Sequence, residues 1–424
     1  MTVLLVAGLI LLLALNVPVG YAMLAVSVAY VSLKPDLPLI VAAQQVAAGS
    51  DKFLLLAIPF FFLAAEFMSS GGVMHRLVNL ARALVGHMRG GLGQMNIVGS
   101  VFFAGISGSA VADAAGLGRV EIEIMRRGGY PTDFSAVVTA ASATIGPIIP
   151  PSIPLVVYGS IAGVSVGKLF LGGFVPGLLM ALALMCAVHF LSIRNHYPRD
   201  AWVGWPALAR SVVRSIPVLM LPAIILGGIF SGVFTATESA IVASVYAMGL
   251  GLILRELEIK AIPGILAKVA CDTARVMFIV AAASFYSWIL AREGLPGALA
   301  GWFIGLGTEA WTFLLLVNLL LLVLGTFMEP IPIMVIVVPA LLPVVTALGI
   351  DLVHFGLVVT LNLMIGLVTP PVGLVMYVVM QITGLKLETF LRALWPFLLA
   401  LLVALFVITY IPSLVLFLPR MFYS

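Results

Sequence analysis

The sequence predicts an all-α polytopic membrane protein built from two inverted repeats, each with a re-entrant helical hairpin and a discontinuous helix. Three observations carry that prediction. Of 424 residues, 63% are hydrophobic and 9% charged, against about 25% charged in soluble domains; mean hydropathy is +1.24. Second, the apolar strings GPIIPP (146–151) and GLVTPP (366–371) repeat a Gly-x-x-x-Pro-Pro pattern at an offset of 220 residues. Gly105 and Gly325, Phe170-Leu171 and Phe390-Leu391, and Pro176 and Pro396 share that offset, as expected of a duplicated chain. Third, basic residues gather in clusters whose spacing fixes which segments cross and which turn back.

Residues 3–33 run on apolar, interrupted at Asn16 and Pro18 and without a basic start. They predict a first helix, or two short ones, rather than a cleavable leader. Arginines cluster at 76, 82 and 89, at 119, 126 and 127, and at 194, 199, 210 and 214; a fourth basic cluster is Arg255, Lys260 and Lys268. If all four face the cytoplasm, the glycine-rich stretch between Arg89 and Arg119 has both ends inside and must enter and return. This places a re-entrant hairpin at about 93–127 and a broken helix at about 132–162. A segment at about 168–193 then leads back to the basic loop, closing a first repeat over residues 1–200. A cytoplasmic linker is expected at 201–214, within the basic stretch that begins NHYPRDAWVGWP. The second repeat, 215–424, plays the same elements upside down. Segments near 212–230, 237–253 and 274–290 precede a hairpin at about 311–345, a broken helix at about 353–382 and a last crossing.

A Pro-Pro pair inside an apolar helix removes two backbone donors and clashes with the preceding turn, freeing carbonyl oxygens that lipid cannot solvate. Broken helices at matching places in two halves point to the ion and substrate site of a secondary transporter. The hairpin tips carry Ser107-Gly108-Ser109 and Gly325-Thr326-Phe327-Met328, each facing its own helix break. Sodium takes hard oxygen ligands, which unwound carbonyls and hydroxyls supply without a buried charge, so two equivalent ion sites are expected. Thr369 adds a side-chain oxygen where its counterpart Ile149 has only a carbonyl. The competing reading is that glycine, serine and threonine only let helices pack closely; hairpin, break and repetition together favour a site.

Helix N-termini at the tips favour an anionic substrate, and an organic acid fits that field. Asp113, Glu329, Glu238 and Glu66 are the acids deep enough to act, although Glu238 can equally cap a helix after Thr235 or Thr237. Ser109, Asp113, Thr326 and Glu329 are the candidate substrate contacts. Cys186 and Cys271 have no partner motif and read as inert packing residues. The five histidines lack the spacing of a zinc or catalytic site. No enzymatic activity and no cofactor is expected, only coupling ions. The net charge of +4 marks cytoplasmic loops rather than nucleic-acid binding. The absence of a Gly-x-x-x-x-Gly-Lys-Ser/Thr loop argues against direct ATP drive.

The runs FFAGISGSAVADAAGLG, GPIIPPSIPLVVYG, KLFLGGFVPGLL, SGVFTATES, LLVLGTFMEPIPIMVIVVPALLPV, LGIDLVHFG and LNLMIGLVTPPVGLVMYV resemble the large membrane subunit of tripartite ATP-independent periplasmic (TRAP) transporters over nearly the whole chain. The resemblance implies a sodium-driven importer of organic acids in the bacterial inner membrane. It also implies an elevator-type fold of the ion-transporter superfamily, in which a transport domain carries both hairpins past a fixed scaffold. Carried over residue by residue, the family's sodium sites fall at Ser107, Ser109, Gly146, Ile149 and Pro150, and at Gly325, Met328, Gly366, Thr369 and Pro370. Two partners are implied: a small membrane subunit, expected as a separate chain, and a soluble periplasmic receptor that delivers substrate. The substrate class spans C4-dicarboxylates, sialic and sugar acids, and keto acids. A receptor-independent dicarboxylate or anion transporter of the same superfamily is the alternative. An intramembrane enzyme lacks a GxGD-like or Ser/His arrangement here. A channel would normally repeat by rotation about the membrane normal rather than by inversion.

Overall fold

The computed structural model describes residues 2–69, 73–305 and 309–423, and among these every regular element is helical. Helices α1 (Thr2–Ala14) and α2 (Val19–Leu33) are parted by a turn in which Asn16 takes a φ of 62°. A bent span follows, in which α3 (Ile40–Ser50) and α4 (Ala57–Ser69) meet at 56° across a short 3-10 turn. Next come the amphipathic α5 (Val73–Val85) and the first hairpin, made of α6 (Gly91–Ser107), α7 (Ala110–Ala115) and α8 (Leu117–Arg127). Helices α9 (Thr132–Ala143) and α10 (Ile153–Ala162) flank the first break, and α11 (Val166–Arg194) closes the half.

The second half begins with α12 (Trp205–Phe230), α13 (Ala236–Ile253), α14 (Ile262–Arg292) and α15 (Leu295–Gly305). Its hairpin is α16 (Ala310–Phe327) and α17 (Pro330–Ala347). The second break lies between α18 (Leu352–Gly366) and α19 (Leu374–Thr383), and α20 (Leu387–Tyr410) and α21 (Pro412–Phe422) end the chain. Polar caps set several starts. Ser109, Ser152 and Ser165 each accept a backbone N–H of the first turn, Asp351 accepts two, and Thr235 with Glu238 forms a capping box.

Three sequence expectations are corrected. Helix α12 starts at Trp205, inside the stretch read as linker, and α14 starts at Ile262, well before 274. In both, charged residues sit within the helix itself and mask its length. Cys186 and Cys271 are exposed rather than packed.

Seven of the described helices are long and apolar enough to cross a membrane, or eight with the bent span. Large apolar side chains face outward, among them Leu182, Phe190, Trp395 and Phe406, as a lipid-facing surface requires. Two packing groups emerge. Helices α2, α3, α4, α12, α13 and α14 pack on one another; the hairpins, both broken helices, α11 and α20 form the other. The repeats interlock within the second group: α7 packs on α19 and α17 on α10, while α9 packs on α20 and α11 on α18. Each hairpin thus braces the broken helix of the opposite repeat, the reciprocal pattern expected of inverted repeats about a pseudo-two-fold axis.

Candidate functional site

At the first break, Pro150 and Pro151 carry no N–H for the carbonyls of Gly146 and Pro147. Ser152 Oγ donates to the Pro147 oxygen instead. Among the described residues, no hydrogen bond reaches the carbonyl oxygens of Gly146, Ile149 or Pro150. The hairpin tip closes on this segment. Gly108, at a φ of 60°, ends α6 so tightly against the break that a Cβ there would lie 2.6 Å from the Pro151 oxygen. Ser107 Oγ receives the Ser109 N–H at 3.2 Å and is hydrogen-bonded to Asp113 Oδ1. Ser109 Oγ accepts from Ala112 N at 3.4 Å, capping α7.

Asp113 is 2% exposed. Its Oδ2 has no hydrogen-bond partner among the described residues and points at the break, where a Cβ on Gly146 would sit 2.1 Å from it. A buried carboxylate oxygen must find a cation or a donor. The structure therefore sets the Asp113 carboxylate, hydrogen-bonded to Ser107, against Gly146, in a segment where the carbonyls of Gly146, Ile149 and Pro150 are unclaimed among the described residues.

The second break is built mainly from backbone. Gly325 and Gly366 touch directly: a Cβ on Gly366 would lie 2.6 to 2.8 Å from the carbonyl carbon, Cα and oxygen of Gly325. Pro370 and Pro371 again supply no N–H. Gly373 N donates to the Thr326 oxygen at 3.1 Å, tying hairpin to break, while the Leu367 oxygen is taken by Val375 N at 3.0 Å. No hydrogen bond reaches the carbonyls of Gly325, Thr369 or Pro370 among the described residues. Thr369 Oγ1 donates to the Ile365 oxygen at 2.7 Å, leaving its lone pairs for a ligand. Thr326 Oγ1 likewise turns back, to Val323 O at 2.8 Å. Met328 is extended between the arms, and Glu329 is exposed at the start of α17 with no capping bond.

The repeats therefore agree in backbone and differ in side chains. At the offset of 220, Ser107, Ser109 and Asp113 correspond to Phe327, Glu329 and Ile333. Cis peptide bonds join Pro150 to Pro151 and Pro370 to Pro371.

Sequence reasoning missed the polar ties that hold each hairpin to its break. Asn96 donates to Thr139 Oγ1 at 2.7 Å, and Ser142 Oγ, which receives Ser100 at 3.0 Å, donates to Asn96 Oδ1 at 2.7 Å. In the second repeat Asn362 Nδ2 donates to Asn318 Oδ1 at 2.8 Å, and Asn318 Nδ2 to Thr409 Oγ1 at 3.0 Å. Ser142 and Asn362 are themselves 220 apart, a signal that was available. Glu121 of α8 was also overlooked; it is 1% exposed, and its Oε1 is unpartnered beside Gly99. Among the described residues no cluster of His, Cys, Asp and Glu could hold a metal. His354 is structural, its Nε2 lying 3.0 Å from the Ile408 oxygen.

Paired hairpins meeting paired helix breaks inside an apolar bundle define a membrane transporter fold. A crystal structure of the Alcanivorax borkumensis YdaH transporter has the same fold, with a TM-score of 0.65 over 88% of this chain and 87% of that one at 15% identity. Residues 6–414 match the family described as tripartite ATP-independent periplasmic transporter, DctM component. The chain is 43% identical over 412 residues to the sialic acid TRAP transporter large permease protein SiaM of Vibrio cholerae, covering 97% of this chain and 96% of that protein. It is 42% identical over 372 residues to the C4-dicarboxylate TRAP transporter large permease protein DctM of Pseudomonas aeruginosa, covering 88% and 87%. The chain belongs to the TRAP transporter large permease family, and is a multi-pass protein of the inner membrane.

Proposed function

We propose that this chain is the large subunit of a sodium-coupled importer of an anionic organic acid. It works by an elevator movement in which the hairpin-bearing group of helices slides past the group formed by α2–α4 and α12–α14. The observation that carries the reading is the pair of breaks whose carbonyls have lost their N–H partners, one of them facing the unpartnered Asp113 Oδ2. Sodium site 1 is Ser107, Ser109, Gly146, Ile149 and Pro150, with Asp113 added; sodium site 2 is Gly325, Met328, Gly366, Thr369 and Pro370. The half-buried Ser109 and the buried Asp113, with Thr326 and Glu329 at the other tip, are the substrate contacts. Relatives named for sialic acid and for C4-dicarboxylates support a carboxylate substrate. The name of the family supports a three-part system, with a small membrane subunit and a periplasmic receptor as the two partners. A cytoplasmic Arg127 and Arg194 with Arg292 outside, as the positive-inside rule suggests for the basic clusters, would give the opposed halves of a transporter.

The test is uptake of radiolabelled acid into proteoliposomes holding this chain with and without the small subunit, the receptor and a sodium gradient. Uptake should require all three and should accumulate substrate against its gradient. Receptor-independent uptake would favour a self-sufficient anion transporter, and sodium-independent uptake would remove the ion assignment.

A further inference from the structure

We propose that the cleft between α5 and the start of α12 is a binding site for the phosphate headgroup of an anionic phospholipid. The cleft has a volume of about 610 Å³ and is lined by Arg76, Asn79 and Arg82 of α5 and by Ser211 and Arg214 of α12. Two of its arginines are partly neutralised. Arg76 Nη2 donates to Glu256 Oε1 at 2.8 Å, and Arg82 Nε and Nη2 donate to the two Asp200 oxygens at 2.6 and 3.2 Å. A guanidinium has five N–H donors, so both keep donors free. The hydrogen bonds to Asp200 also raise the Arg82 pKa above its ordinary value, so its charge persists. Arg214 makes no ion pair or hydrogen bond among the described residues and is exposed. With Glu256 and Asp200 set against Arg76 and Arg82, the cleft keeps one net positive charge, the complement of a single phosphodiester.

The surroundings place this charge at headgroup depth. Trp202 and Trp205, beside the cleft, are 42% and 75% exposed, as tryptophans at a membrane interface are. Helix α5 buries Leu77, Val78, Leu80 and Ala81, leaves Arg76 half-buried and turns Arg82 outward, the disposition of a helix lying in the interface. Basic pockets between helices on the cytoplasmic side suit lipid headgroups. The location has a mechanical consequence. Helix α5 packs on α12 and also on α6 of the first hairpin, and Ser215 Oγ of α12 donates to the Arg76 oxygen at 3.2 Å. A headgroup seated here braces the helix that leads into the hairpin.

The experiment is native mass spectrometry of the purified full chain with added phosphatidylglycerol, phosphatidylcholine or inorganic phosphate. Wild-type protein should retain phosphatidylglycerol over phosphatidylcholine, and Arg214→Gln should lower that retention about fivefold, the effect of one arginine near a charged surface. Arg210→Gln, the same charge change on the same helix outside the cleft, should leave it unchanged. Ala207→Trp, which fills the cleft without removing a charge, should lose retention too, covering the case in which Arg214→Gln fails to fold. Equal retention by Arg214→Gln and Arg210→Gln, or equal retention of phosphatidylcholine, overturns the proposal. Displacement of the lipid by millimolar inorganic phosphate would make this a free-anion site and overturns it as well.

Discussion

Gly366→Ala is the sharpest probe of the second break, because the added methyl meets backbone and not a side chain that can rotate away. It would lie 2.6 Å from the Gly325 carbonyl carbon, whereas ordinary contact begins at 3.4 Å, so hairpin and break must part by about 0.8 Å. Overpacking of this kind costs about 1–3 kcal/mol, offset by up to about 1 kcal/mol of helix propensity. A net loss of about 1–2 kcal/mol is expected. The functional effect should be larger, since metal coordination tolerates only about 0.2 Å. The assay is thermal unfolding of purified protein in sodium and in choline. A ligand at one hundred times its Kd adds about 2.7 kcal/mol to stability, and Gly366→Ala should forfeit the share that comes from one of two sites. Gly249→Ala in α13, where a Cβ meets nothing within 4 Å, serves as control and should keep the full sodium shift. An undiminished sodium shift in Gly366→Ala would refute coordination at the contact between Gly325 and Gly366.

Three further outcomes are expected. Ser109→Ala should cost about 1 kcal/mol as a lost cap, and Thr369→Ala less; both should weaken the sodium dependence of uptake more than they reduce expression. A sodium titration unchanged in both variants counts against the side-chain oxygens. Asn362→Leu should destabilise by about 0.6–1.7 kcal/mol, the range for buried membrane hydrogen bonds, while Asn362→Ser, copying position 142, should lose less; equal melting of both variants and wild type would show the amide tie to be idle. Asp113→Asn keeps the bond to Ser107 but removes the charge, so apparent sodium affinity should fall at least about tenfold, in line with charged hydrogen bonds of ~1.5–3 kcal/mol. The Hill coefficient for sodium should then drop toward one, and an unchanged curve would leave Asp113 without a role in ion binding.

The hairpins and breaks were legible because their signal is local: proline pairs, glycines and an exact-length repeat need no knowledge of what packs where. The first hairpin ends at Arg127 and the first break is flanked by helices over 132–143 and 153–162, close to the edges read from residues alone. Helix α14 was harder. Lys268, Asp272 and Arg275 depress its hydropathy, yet Lys268 is paired at 2.8 Å with Glu66, 202 residues away in sequence, and Asp272 with Arg275 one turn on. No sliding window can see a neutralising partner that distant. The direction of Asp113 was likewise invisible: its burial depth reads from the sequence, but that it turns into the break depends on how α7 follows the left-handed Gly108. The ties from Asn96 and Asn318 escaped because a polar residue in an apolar run looks the same whether it meets lipid, water or another amide.

What the duplication kept and what it released separates the two contributions to the ion sites. Gly105 and Gly325, Gly146 and Gly366, and both proline pairs recur; these are the residues that let backbone approach backbone and strip carbonyls of their donors. The hydroxyls and the carboxylate do not recur, since Phe327 and Ile333 stand where Ser107 and Asp113 would be. On the proposed assignment, cation coordination by main-chain oxygen would be the property common to the halves, and the buried charge an addition to one of them. A carboxylate and a set of neutral carbonyls attract the same cation with different strength, because only the carboxylate brings a formal charge into a medium of low dielectric. If both breaks bind sodium as proposed, the two sites should fill unequally, the first ahead of the second. The break that relies chiefly on backbone is then the one whose geometry admits least change, which is why a single methyl at Gly366 should matter more than the loss of any one hydroxyl.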